Sequence, residues 1–144
     1  MIKQITAEQT KPLRKLILRP DLSMEELTYD GDLDESSAHF GFIEEDAVKG
    51  IATLYNSPSP ALDQSLNMYR LRGMAVEESL RGKNAGRKLI DACVDFVSRN
   101  KGDVIWCDAR ISAKGFYEKL GFVATGKIYH VKGAGDHYLM YRMI

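Results

Sequence analysis

The chain has 144 residues, 44% hydrophobic and 28% charged, the composition of a globular protein long enough to bury a core of its own. Its twenty basic and twenty acidic residues cancel, which excludes an overall field for nucleic acid or an anionic membrane and makes any anion site local. No stretch approaches the ~20 apolar residues of a membrane span, and Met1-Ile2-Lys3-Gln4-Ile5 is no signal segment, so a single cytoplasmic domain is expected.

Residues 2–5 read as a short first strand. Thr6-Ala7-Glu8-Gln9 has capping-box spacing, in which the first and fourth side chains each satisfy the other's backbone N–H. The helix it opens is expected to turn Leu13, Leu16 and Ile17 inward and to stop near Pro20, with Pro12 either in an early turn or restarting it. Ser23-Met24-Glu25-Glu26 repeats the signature and predicts a short helix from Met24, followed by an acidic loop over 30–35. Residues 38–43 and 48–55 read as strands joined by the turn Glu44-Glu45-Asp46-Ala47, and 56–64, with two prolines, as an exposed loop.

A third strand of this run spans about 67–77. Leu89, Ile90, Cys93, Val94 and Val97 then recur at helical spacing, predicting a helix that ends near Gly102, by position a C′ glycine. Val104-Ile105-Trp106-Cys107 is a nearly continuous apolar run, as in a central strand covered on both faces. A short helix over 113–120, stopped by Gly121, and strands at 122–131 and 137–143 close the chain. The order predicts an α/β (α+β) fold: one mixed sheet, mostly antiparallel in its first half, flanked by helices. Cys93 and Cys107 read as reduced core residues whose positions suggest neither a disulfide nor a metal site.

The most informative stretch is Arg81-Gly82-Lys83-Asn84-Ala85-Gly86-Arg87, because it lies between a strand and the long helix. The first N–H groups of a helix have no internal partner, and the helix dipole adds positive charge there. Gly82 and Gly86 admit close approach of an anion, and Arg81, Lys83 and Arg87 supply full charges, so a phosphate or pyrophosphate is the expected ligand. A P-loop is excluded because Gly86 is followed by Arg87-Lys88-Leu89, and the three-glycine dinucleotide fingerprint is missing. An ordinary turn with solvated basic side chains would look the same, so the heptapeptide alone leaves both readings open.

The chain resembles the GNAT acyltransferase superfamily. The 81–86 turn is similar to its acyl-CoA signature, a Gln or Arg, two residues, Gly, one residue, then Gly or Ala. Gly115-Phe116-Tyr117-Glu118-Lys119-Leu120-Gly121-Phe122 resembles the helix-to-strand segment that follows it in many members. Leu71-Arg72-Gly73-Met74-Ala75-Val76, Trp106-Cys107-Asp108-Ala109-Arg110 and His137-Tyr138-Leu139-Met140 resemble a bacterial branch of largely uncharacterised members. Two positions depart from the pattern: Asn84 replaces the signature's first glycine, where asparagine tolerates positive φ, and Asp108 stands where related members often carry Asn.

The resemblance implies acetyl-CoA, or a similar acyl-CoA, as co-substrate and no metal. Its pyrophosphate would meet the amides of residues 82–87, beside Arg81, and its pantetheine arm the main chain of Met74, Ala75 and Val76. The strands holding Val76 and Asp108 would splay into a wedge for the thioester. A backbone N–H near Met74 would serve the oxyanion and Tyr117 would protonate the leaving thiolate. His39, His137 and Glu77 are the candidate bases, each with an ordinary structural role as its alternative. Arg70, Arg72 and Arg110 either meet an acidic acceptor or make solvated faces and ion pairs. The reading is an N-acetyltransferase acting on the primary amine of a small molecule or peptide. Its alternatives are a non-catalytic acyl-CoA sensor acting on a protein partner, which would not need Tyr117, and a generic nucleotide binder. Exposed strand edges offer a route to a homodimer.

Overall fold

The computed structural model describes residues 1–132 and 135–144, and the side chain of Val131 lies outside that description. Strand β1 (Ile2–Ile5) leads into helix α1 (Ala7–Leu13), and the capping box forms: the Gln9 N–H donates to the Thr6 hydroxyl at 3.2 Å and the Thr6 N–H to Gln9 Oε1 at 2.9 Å. Pro12 lies inside α1, where it lacks the N–H that would reach back one turn. The chain then widens into a π-helical turn, Arg14–Leu18, closed by the Arg19 N–H on the Arg14 carbonyl at 2.8 Å. That winding rotates the apolar positions off the expected face. Leu13 is buried as expected, but Leu16 and Ile17 are 68% and 40% exposed, and Arg14 takes the interior place. The second capping box also forms, between Ser23 and Glu26, and opens one 3₁₀ turn, Glu25–Leu27, that seats Leu27 in the core.

Strands β2 (Ala38–Glu44) and β3 (Ala47–Asn56) make a hairpin whose two turn residues, Glu45 and Asp46, both have positive φ. Such a turn carries the twist of the strands across the loop. Strand β4 (Met68–Val76), helix α2 (Ala85–Arg99), strand β5 (Val104–Arg110), helix α3 (Lys114–Lys119) and strands β6 (Val123–Val131) and β7 (Gly135–Met143) follow. They form one seven-stranded sheet in the order β1-β2-β3-β4-β5-β7-β6. Every neighbouring pair is antiparallel except β4 with β5, which is parallel.

Helix α2 covers one face with Leu89, Ile90, Cys93 and Val97, all fully buried against Phe40, Leu54, Leu71, Ile105 and Cys107. The other face carries Leu13 with Ile51 and Ala75 at one end, and Trp106 with Met68, Val104 and Leu139 at the other. Trp106 Nε1 donates to the Ser57 carbonyl at 2.8 Å, which pins the 56–66 loop, and Ser59 within it is buried. Both cysteines are free and buried. The end of α2 differs from expectation. The left-handed C′ residue is Lys101, at φ 59°, and Gly102 is one place later, donating its N–H to the Val97 carbonyl at 2.8 Å. Gly102 is required by space: a Cβ there would run into Val97 Cγ1 and come within 3.0 Å of the Tyr69 ring.

Candidate functional site

Two neighbouring cavities occupy the carboxyl ends of β4 and β5. These strands pair only through Met68↔Val104, Tyr69↔Ile105 and Arg70↔Trp106, and beyond that they diverge. The cause lies in β4. Between the pairs Thr53↔Arg72 and Ile51↔Ala75, two residues, Gly73 and Met74, face the single residue Ala52. Gly73 takes φ 64°, so the extra residue sits as a bulge that redirects the strand. The opening is a wedge of about 410 Å³ whose walls include Arg70, Arg72, Met74, Cys107, Asp108, Arg110, Tyr117 and His137. The divergence expected of the strands holding Val76 and Asp108 is therefore present.

Tyr117 enters from α3, its ring held edge-on between Phe116 and Phe122 at 5.1 and 5.4 Å. Its hydroxyl makes only a weak contact, 4.0 Å, with Met74 Sδ. Burial, with a smaller contribution from the Cys107 and Cys93 thiols, raises the phenol pKa above its ordinary value, so the side chain is a protonated donor at neutral pH. Cys107 lines the same wedge, but burial and then Asp108 push its thiol up to about 12, which excludes a nucleophilic thiolate.

The three candidate bases separate by geometry. His39 lies outside the wedge and both its nitrogens are occupied: Nε2 donates to the Asp32 carbonyl at 2.9 Å, and Nδ1 accepts from the Thr53 hydroxyl at 2.8 Å. Glu77 is also off the wedge, its carboxylate accepting from the Ser79 hydroxyl at 2.9 Å. His137 is buried in the wedge wall. Its Nδ1 must carry the proton, since its partner at 2.9 Å is the Gly135 carbonyl. Nε2 is thus the nitrogen left to carry a lone pair, and it has no partner among the described residues.

The second cavity, about 430 Å³, lies at the start of α2 and runs from Val76 past Gly82, Asn84, Ala85 and Gly86 to Phe116. Asn84 adopts the left-handed conformation, φ 56°, and no side chain caps the helix. The amides of Gly82, Asn84, Ala85, Gly86 and Arg87 have no acceptor among the described residues, whereas the Lys83 N–H is taken by the Leu80 carbonyl at 3.1 Å. Lys83 Nζ pairs with Glu44 at 3.3 Å and Arg87 donates to the Lys119 carbonyl at 3.1 Å, while Arg81 lines the cavity. A Cβ on Gly86 would lie 2.7 Å from Phe116 Cζ and 3.6 Å from Met74 Cε, so any side chain there would have to displace the half-exposed Phe116 ring where the two cavities approach. Met74 and Val76 face this track, but the Ala75 methyl is buried on the opposite side against Ile51, leaving only its main chain toward the cavities.

Other contributors are held by partners remote along the chain, and Arg70 makes the ion pair that was one of its two expected roles. Both oxygens of Asp108 are occupied: Oδ2 accepts from Arg70 at 2.9 Å, and Oδ1 from the Tyr129 hydroxyl. Behind the bulge, Arg14 is fully buried and donates to both oxygens of Asp32 (2.6 and 3.1 Å), to the Leu27 carbonyl and to the Thr53 hydroxyl. Asp32 also accepts from the Tyr55 hydroxyl at 2.5 Å and from the Tyr29 N–H at 2.8 Å. The Arg14 and Arg72 guanidinium groups both lie over the Tyr29 ring, 4.0 and 4.4 Å from its centroid.

Among the described residues no cluster of His, Cys, Asp and Glu is placed to hold a metal, and no helix is long and apolar enough to cross a membrane. The model of the acetyltransferase (GNAT) domain family matches residues 4–140. Over 143 residues the chain is 35% identical to the uncharacterized N-acetyltransferase YitI of Bacillus subtilis (strain 168), spanning 99% of this chain and 95% of that protein. An aminoglycoside 6'-N-acetyltransferase solved with coenzyme A aligns with a TM-score of 0.80 at 15% identity, over 99% of this chain and 96% of the other. A spermidine N-acetyltransferase chimera from Vibrio cholerae and hSSAT aligns with a TM-score of 0.73 at 17% identity, over 99% and 95%. At these identities the two structures are alike in fold.

Proposed function

The chain belongs to the GNAT acetyltransferase family and is an acetyl-CoA-dependent N-acyltransferase, and from that premise we propose that it transfers an acetyl group directly to a primary amine of a small molecule or peptide in the wedge between β4 and β5. The observation that carries this reading is the alignment of two cavities. One offers a row of backbone donors at an uncapped helix start, and the next is lined by both a protonated phenol and a histidine whose Nε2 has no partner among the described residues. The residues suit the co-substrate. Five amides without acceptors answer its diphosphate, Met74, Ala75 and Val76 its pantetheine arm, and Gly86 leaves the passage open.

The proposed chemistry divides among residues that line the wedge. A C–N bond forms as the C–S bond breaks. His137 Nε2 takes the proton that the amine must lose, directly or through one water, and Tyr117 gives its hydroxyl proton to the departing sulfur. A backbone N–H near Met74 faces the charge that develops on the carbonyl oxygen. A regulatory sensor needs neither proton carrier.

Calorimetry with CoA tests the binding half. Arg81→Glu is expected to weaken CoA about tenfold, since a reversed charge beside a diphosphate works against the amides. Undiminished affinity in that variant would move the diphosphate elsewhere. His137→Gln tests the other half: kcat/KM is expected to fall about 10²-fold. An unchanged kcat/KM would remove His137 as the base.

A further inference from the structure

We propose that the acceptor is an amine carrying a carboxylate, of the amino-acid type, whose carboxylate is held by Arg72 and Arg110 at the mouth of the wedge. The proposal rests on the acetyl-transfer reading of that wedge and names the substrate class it serves.

Five charged side chains line the opening, and four are arginines. Arg19 is neutralised by Asp21, at 2.8 and 3.1 Å. Asp108 is the single carboxylate, and Arg70 and Tyr129 already hold both its oxygens, so it has little left for an incoming ammonium group. Arg72 and Arg110 have no carboxylate within 4.0 Å among the described residues. The surplus charge of the wedge is therefore positive, in a chain whose net charge is zero.

Arg72 is also preorganised. Its guanidinium lies 4.4 Å from the centroid of the Tyr29 ring, which the buried, Asp32-paired Arg14 also contacts at 4.0 Å. A planar guanidinium held by stacking keeps its N–H edge for bidentate pairing with a carboxylate. The same field acts on the nucleophile. Positive charge nearby disfavours an ammonium ion, so a bound amine loses its proton more readily, as attack on the thioester requires. A polycation meets the opposite situation, because every further ammonium is repelled. Asp30 and Asp34 line a neighbouring cavity of about 400 Å³ that Arg70 and Arg72 also border, but neither carboxylate lines the wedge or lies within 4.0 Å of Arg72.

The test is CoA release by the full chain with matched acceptors: free L-amino acids, the corresponding α-amides, and spermidine. The free acids are expected to show kcat/KM at least about tenfold above their amides. Arg72→Gln should bring that ratio close to one, and Arg72→Lys should restore part of it, since the charge returns without the fork. A wild-type ratio of one or less, faster turnover of spermidine, or turnover of no acceptor by protein that binds acetyl-CoA would each overturn the assignment. Absence of acetyl-CoA binding in calorimetry would overturn the acetyl-transfer reading with it.

Discussion

Tyr117→Phe is expected to lower kcat about 10³-fold while the calorimetric Kd for acetyl-CoA changes by less than about twofold. One oxygen is removed and the ring stays between Phe116 and Phe122, so packing is preserved. What would be lost is the proton proposed for the departing sulfur, and a factor of 10³ corresponds to about 4 kcal/mol of barrier. A purely structural tyrosine would show the reverse, with kcat retained in Phe and stability lost only in Ala. Full activity in Tyr117→Phe would remove the residue from the chemistry. A fall in kcat together with a large rise in Kd would make it a binding residue instead.

The largest effect on stability is expected at Asp32. Replacing it with Ala leaves the Arg14 guanidinium in the interior without its counter-ion, which typically costs about 3–5 kcal/mol, measurable by urea unfolding. The pH dependence has a definite sign. Burial by itself would raise the Asp32 pKa, but hydrogen bonds from Arg14, Tyr55 and the Tyr29 N–H outweigh it, and the carboxyl titrates below its ordinary range. A group depressed in the folded state contributes stability above its unfolded pKa, near 4, and loses that contribution as the pH falls toward the folded value. The wild-type urea midpoint should therefore decline through that acid window, and Asp32→Asn should decline less steeply. A double variant with apolar residues of similar volume at Arg14 and Asp32 should recover much of the loss, since the unpaired charge is the cause. A stable Asp32→Ala protein would show that Arg14 finds another partner.

Features set by neighbours along the chain were legible before the structure. Both capping boxes form, Glu45-Asp46 makes the hairpin turn, and the apolar stripe of α2 is buried. Legibility fails where the deciding partner is remote. Arg14 reads as one more basic residue on a helix until Asp32, Thr53 and Tyr29 surround it. The π-helical turn that points it inward arises behind Pro12 and has no period of its own to detect. Gly102 drew attention as a helix stop, but the left-handed residue is Lys101 and the glycine is required by Val97 and Tyr69. The insertion of β7 between β5 and β6 is a matter of topology that no local pattern records. For the site, the strand-to-helix turn was visible as chemistry, whereas the wedge and the position of Tyr117 were expected from resemblance to a family. Tyr29 and Tyr129 had no signal in either.

Along the sheet, strands β1 to β4 join strands β5, β7 and β6 through only three residue pairs, with α2 lying across the joint. A molecule lodged between the diverging ends touches both blocks and acts as a removable strut between them. Filling the wedge would then couple occupancy to rigidity, with ligand binding drawing the two blocks toward a single arrangement.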